Sequence, residues 1–209
     1  MTGAPVHFAG IDPGVTGALA LLDPQGRALS VHDAPVNRLA TSTKTKSGNP
    51  KTRADYDLAA FATLIRSLPS PCIFSIELVH PRPGSHREGD AGDEKLHGQT
   101  HAPIAAFRMG ESLMAWRATL VACGRGEPIT LQPSYWRRQV FDGAHDVLGV
   151  DPWEVDRGKD GSLTLARALF PTAASLLTRK KDQNRAEALL IACAARRLAA
   201  AGKLGRRTP

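Results

Sequence analysis

VHFAGIDPGVTGALALLDPQGRALSVHD, residues 6–33, decides the fold of this chain. Residues 6–12 read as a short buried strand that stops at the turn Asp12-Pro13-Gly14, and residues 17–22 read as a second strand. Asp23-Pro24-Gln25-Gly26 is a strong turn signal, after which residues 27–33 alternate as a third strand does. Three strands joined by turns this short form an antiparallel meander.

Working outward, the pattern changes period. Residues 36–53 are polar, basic and rich in Ser, Thr and Lys, which predicts a mobile loop. Residues 55–68 carry apolar side chains at helical spacing and stop at Pro69, and residues 72–79 (CIFSIELV) read as a fourth strand. A second polar stretch, 81–100, predicts another mobile loop. A helix over 104–123, a fifth strand over 128–132 and a short helix over 134–141 follow. Residues 142–158 are an insertion rich in Gly and Asp, without a functional reading. Helices over 163–170 and 183–201 complete the chain, with a basic tail at 203–209. A meander followed by two right-handed crossovers predicts an α/β fold in a single domain over 1–209: one mixed five-stranded sheet, three strands antiparallel and two added by crossover, flanked by helices.

Composition narrows the function classes. Among 209 residues, 42% are hydrophobic and 22% charged, enough to bury a core and unlike a disordered chain. The longest apolar run, 188–195, is far short of the roughly 20 residues of a membrane span, so no membrane partner is expected. The first strand signal begins at Val6, so no signal or transit peptide is expected. Cys72, Cys123 and Cys193 lie far apart in apolar surroundings, as reduced buried thiols do. Together these predict a cytoplasmic protein.

The charge is unevenly placed. Lys and Arg number 27 against 20 Asp and Glu, a net of +7, and residues 179–209 hold nine basic side chains against two acidic ones. The rest of the chain is balanced. Such a concentration attracts polyphosphate, of which nucleic acid is the commonest form, though a solvated basic tail looks the same in sequence. Aromatic residues make up only 5%, which argues against a single-strand binder built on stacking platforms.

Four carboxylates stand out by position. Asp12 ends the first strand, Glu77 sits in an apolar strand, Asp182 opens the last helix, and Glu187 lies inside that helix between apolar neighbours. A lone buried carboxylate costs several kcal/mol unless it is paired, hydrogen-bonded or metal-bound. If strands one and four are neighbours, Asp12 and Glu77 converge at one sheet end and the last helix brings Glu187 across it. Hard oxygen donors without a histidine pair suit Mg²⁺ or Mn²⁺ rather than zinc. Each residue also has a plainer reading: Asp12 as a turn residue, Glu77 paired with a buried Arg, Asp182 as an N-cap, Glu187 as a solvated helix position. Asp182 and Glu187 are about 140° apart on a regular helix and do not share a face, whereas Asn184 does share the face of Glu187.

Four stretches in order, GIDPGVTGALALL (10–22), SIELVHPRPG (75–84), QPSYWRRQV (132–140) and RKKDQNRAEALLIACAARR (179–197), together resemble the RuvC-like Holliday-junction resolvases. The phage and plant-organellar branch is closer than the bacterial housekeeping enzyme. GIDPG alone also resembles a phosphate loop of sugar kinases, a fold that needs two lobes and a second glycine-rich loop. The resemblance implies a ribonuclease-H-like fold, a bacterial or phage-encoded origin, and a metal-dependent crossover junction endonuclease. It carries Asp12, Glu77, Asp182 and Glu187 over as the catalytic, metal-holding set; where the bacterial enzymes place their last two functional side chains three residues apart, this chain has Asn184 and Glu187. Two Mg²⁺ (or Mn²⁺) ions per active site, about 4 Å apart, would serve phosphodiester hydrolysis that leaves 5′-phosphate and 3′-hydroxyl ends. Branched DNA and a second copy of the chain are the implied partners, since symmetric cutting needs two sites. Lys180, Lys181, Arg137 and Arg138 are the candidate backbone-binding cations, and Phe107 with Arg108 and Met109 the candidate probe of the junction centre. Another ribonuclease-H-like nuclease, acting on flaps or RNA–DNA hybrids, uses the same carboxylates. A non-catalytic junction-binding module gains nothing from negative charge facing phosphate.

Overall fold

The computed structural model describes residues 5–44, 47–78, 101–151 and 154–204, except the side chains of residues 101–105. The meander forms β1 (His7–Asp12), β2 (Ala18–Leu22) and β3 (Ala28–Asp33), paired antiparallel with Phe8 opposite Leu22 and Asp12 opposite Ala18. β6 (Cys72–Glu77) adds parallel to β1, and β7 (Ile129–Leu131) adds parallel to β6. The five-stranded order is β3-β2-β1-β6-β7, the predicted mixed sheet, and it is consistent with a ribonuclease-H-like fold.

Side-chain parity explains why both faces are covered. Ala9, Ile11, Leu19 and Leu21 point to one side, where they pack with Phe61 and Ile65 of α1 (Leu58–Ser67) and Trp116 and Leu120 of α2 (His101–Ala122). Phe8, Ala18, Ala20 and Leu22 point to the other side and meet α6 (Gln183–Ala200). A strand buried on both faces reads as a nearly continuous apolar run, which is what ALALL is. The middle of the α6 face of the strands is built from small residues, Gly10, Ala18 and Ala20. At Gly10 a Cβ would lie 2.2 Å from the Ala188 carbonyl oxygen, so the α6 backbone rests directly on β1. Outside α6 lie α3 (Pro133–Phe141), the short α4 (Ala144–Leu148) and α5 (Lys159–Leu169). Among the described residues no helix is long and apolar enough to cross a membrane.

Two expectations change. Residues 36–53 are not a loop: β4 (Val36–Lys44) and β5 (Pro50–Tyr56) pair antiparallel, Val36 opposite Tyr56, in a separate two-stranded ribbon. Its β-branched Val36, Thr41, Thr43 and Thr52 suit extended backbone, but both faces are largely solvated, so no apolar alternation marks it. The following helix accordingly starts later than residue 55, after Asp57, whose carboxylate accepts from the Ala60 N–H at 2.9 Å. The loop predicted at 81–100 lies outside the described residues, as does most of the tail predicted at 203–209.

The C-terminal end of α1 is closed by a distant cation. Arg125 donates to the carbonyls of Leu68 (2.6 Å), Ile65 (3.1 Å), Pro69 (3.2 Å) and Arg66 (3.3 Å). One guanidinium thereby holds two carbonyls of the last turn of α1 and two of the residues that follow it. Arg125→Ala is expected to lower stability by about 2 kcal/mol in urea denaturation; an unchanged midpoint would show that water replaces the guanidinium without loss.

Candidate metal centre

Asp12 and Glu77 are the last residues of two neighbouring parallel strands, and Ile11 faces Ile76, which brings the two carboxylates side by side. The parity that points Phe8 at α6 points Asp12 the same way. Glu187 descends from the second turn of α6 onto this edge. Ligand oxygens of Asp12, Glu77 and Glu187 lie within 4.8 Å of one another, and the three residues are only 7%, 8% and 4% exposed.

Like charges in a buried cluster resist ionisation. The Asp12 carboxyl is held well above the usual carboxylate range, chiefly by burial and then by the charges of Glu187 and Glu77, against which Lys159 and Arg137 pull down. Burial, then Glu187, raises Glu77 as well, opposed by a hydrogen bond from the Trp136 indole and by Arg137 and Lys159. That indole Nε1–H donates to Glu77 Oε1 at 3.3 Å, so Glu77 is held by a neutral donor rather than by the ion pair that its plainer reading required. The cluster is short of positive charge. An all-oxygen, buried donor set a few ångströms across, short of cations, fits Mg²⁺ or Mn²⁺, whose opposite ligand oxygens are about 4 Å apart.

The triad opens into a cleft of about 790 Å³. Its walls include Thr16, Met109, Arg137, Arg157, Lys159 and Asn184. Asn184 donates its side-chain amide to the Thr16 carbonyl at 2.5 Å and hydroxyl at 2.9 Å, which ties α6 to the turn that follows Asp12. A second cleft, of about 590 Å³ between α1 and α2, is mostly apolar and gathers no comparable chemistry.

Asp182 does not join the triad. It is 2% exposed, and both its oxygens are taken by Arg179, whose Nη2 donates at 2.6 Å and whose backbone N–H donates at 2.8 Å. These contacts, the Arg179 side chain first, hold the Asp182 carboxyl below the usual range, as a structural ion pair does and an under-neutralised cluster does not. The reason is local. Residues 180–182 form a 3₁₀ turn before α6, and this turn directs Asp182 back onto Arg179. Asn184, one face with Glu187, is the polar residue that α6 brings to the cleft instead.

Among the basic candidates, Arg137 is half-buried in the cleft wall, where its Nη2 donates to Glu187 Oε1. Arg138 is exposed beside the Tyr135 ring. Lys180 and Lys181 are exposed but do not line the cleft, and Lys180 lies 3.6 Å from Asp160. Phe107 is 67% exposed, Arg108 pairs with Glu111 at 3.0 Å, and Met109 edges the cleft. Sequence reasoning missed Lys159, Arg157, Thr16 and Trp136. Arg157 stands between α4 and α5 and Lys159 is the first residue of α5, where no periodicity marks them; the end of the 142–158 insertion thereby forms part of the cleft wall.

A buried carboxylate triad at the ends of two parallel strands, closed by a helix, defines a metal-competent site on an α/β fold. The chain is similar to a protein named Holliday junction resolvase MOC1, chloroplastic, from Chlamydomonas reinhardtii: 30% identical over 176 residues, 78% of this chain and 17% of that protein. The chain thus spans about a sixth of the length of that curated relative, and the likeness supports a resolvase-like family. No family model matches the chain. This comparison also corrects the expectation of a bacterial or phage cytoplasmic protein, since the relative it finds is named a chloroplastic protein.

Proposed function

We propose that this protein is a metal-dependent, structure-selective endodeoxyribonuclease that resolves four-way DNA junctions. The observation that carries the reading is the convergence of Asp12, Glu77 and Glu187 from two strands and a distant helix onto one buried point. The similarity to a protein named a Holliday junction resolvase supports the substrate class. Asp12, Glu77 and Glu187 are the residues that would hold Mg²⁺ or Mn²⁺, and the bound metal supplies the Lewis acidity that phosphodiester hydrolysis needs.

The chain's own residues do the rest. Trp136 orients Glu77 through its indole N–H, and Asn184 fixes the turn carrying Asp12. Lys159 and Arg137 place positive charge in the cleft, where a phosphate is drawn in and held. Outside it, Arg38, Lys44, Lys51 and Arg53 lie exposed on the β4–β5 ribbon, a shape that a DNA groove accommodates. Arg138, Lys180 and Lys181 extend the basic surface, and exposed Phe107 is available to insert between bases at the junction centre. Paired cuts call for a twofold dimer, and Met114 and Val121, exposed seven residues apart on α2, offer it an apolar face.

Incubating the protein and Mg²⁺ with a synthetic four-way junction, a flap, an RNA–DNA hybrid and plain duplex is expected to give paired nicks in the junction, with 5′-phosphate and 3′-hydroxyl ends. Preferential cutting of the flap or hybrid would assign a different nuclease to the same triad.

A further inference from the structure

α3 reaches two of the three carboxylates. Trp136 donates to Glu77, and the next residue, Arg137, pairs with Glu187. The other arm of the Arg137 guanidinium is anchored on neutral acceptors, the Arg157 carbonyl at 2.9 Å and the Ser162 hydroxyl at 3.3 Å, and its carbon lies 4.6 Å from the centre of the Trp136 ring. Lys159 also bears on Asp12 and Glu77, but among the described residues Arg137 is the cation in direct contact with the triad.

Three buried carboxylates without a counter-charge oppose folding, so a protein that meets its metal only intermittently needs something else in that place. We infer that Arg137 is a resident counter-cation: it neutralises Glu187, one of the three charges of the triad, while no divalent ion is bound, and it competes with that ion for the same carboxylate. This rests on the metal reading of the triad. The neutral anchors give the device its second position. A guanidinium released from Glu187 keeps its bonds to Arg157 and Ser162 and so stays in the cleft, facing whatever anion enters with the metal. A lysine could match the charge but not the fork that spans Glu187 and both anchors.

The test uses the full chain, melted in EDTA and titrated with Mn²⁺. Arg137→Met is expected to melt roughly 5–10 °C below wild type in EDTA. The same variant is expected to bind Mn²⁺ about tenfold more tightly, because binding no longer displaces a cation. Arg137→Lys recovers part of the melting temperature. Because Arg137→Met could fail to fold for lack of its anchors alone, Glu187→Gln is added to it: removing the orphaned charge restores the EDTA melting temperature if Arg137 acts by neutralising Glu187. A double variant as unstable as the single overturns the counter-cation role, and unchanged or weaker Mn²⁺ binding by Arg137→Met overturns the competition. If wild type binds no Mn²⁺ while the rescue by Glu187→Gln holds, the metal reading fails and the neutralising role of Arg137 stands.

Discussion

Asp12→Asn is expected to abolish cleavage of a four-way junction and, in the metal-free protein, to raise the melting temperature. The two effects have one cause. Asp12 is buried against Glu77 and Glu187, and its carboxyl is held well above the ordinary 3.8 because ionising it there is costly. A carboxyl raised in the folded state contributes stability that is fully present below its unfolded value and lost as pH rises through the raised folded value. In EDTA, wild-type stability is therefore expected to fall as pH climbs above 3.8, and Asp12→Asn removes that part of the fall. The amide, however, supplies no negative charge to a divalent ion. Losing several kcal/mol of metal-borne charge stabilisation amounts to at least about 10³-fold in rate. Junction binding, which rests on the basic surface, should survive. A single variant that is more stable, still binds and no longer cuts separates a functional carboxylate from a structural one. Retained cutting, or a lower melting temperature in EDTA, would count against the site.

What could be read from the chain before its structure follows physical range. Short-range patterns were legible: the tight turns at Asp12-Pro13-Gly14 and Asp23-Pro24-Gln25-Gly26, and the doubly buried run of β2, determine the meander and its neighbours. Asp12, Glu77 and Glu187 were legible because a carboxylate among apolar residues is conspicuous wherever it occurs. Asp182 had the same appearance and a different fate. Its partner Arg179 is three residues away, and only the 3₁₀ turn decides that it faces this arginine rather than the cleft. The β4–β5 ribbon escaped because a ribbon solvated on both faces lacks the alternation by which strands are recognised. Arg137 was visible as a basic residue, but an ion pair between positions fifty apart leaves no spacing to detect.

Gly10→Ala tests whether the site depends on how closely α6 lies on the sheet. Gly10 is buried in the middle of β1, and an added Cβ would stand 2.2 Å from the Ala188 carbonyl oxygen and 2.3 Å from the Ala192 nitrogen. Both are backbone atoms of a helix buried between the sheet and its outer helices, so no side chain can turn aside. The methyl must push α6 off β1, and overpacking against backbone costs about 3 kcal/mol, the upper end for an added methyl. Glu187 lies on the same helix, one residue before Ala188, so displacing α6 also draws its carboxylate away from Asp12 and Glu77. Gly110→Ala supplies the contrast. Gly110 sits inside α2 with nothing within 4 Å of an added Cβ, and alanine there is expected to stabilise by about 0.5–1 kcal/mol through helix propensity. Thermal melts should therefore move in opposite directions for the same chemical change. If Gly10→Ala melts like wild type, the sheet and α6 have slack, and the position of Glu187 must be set by its contact with Arg137 rather than by backbone packing.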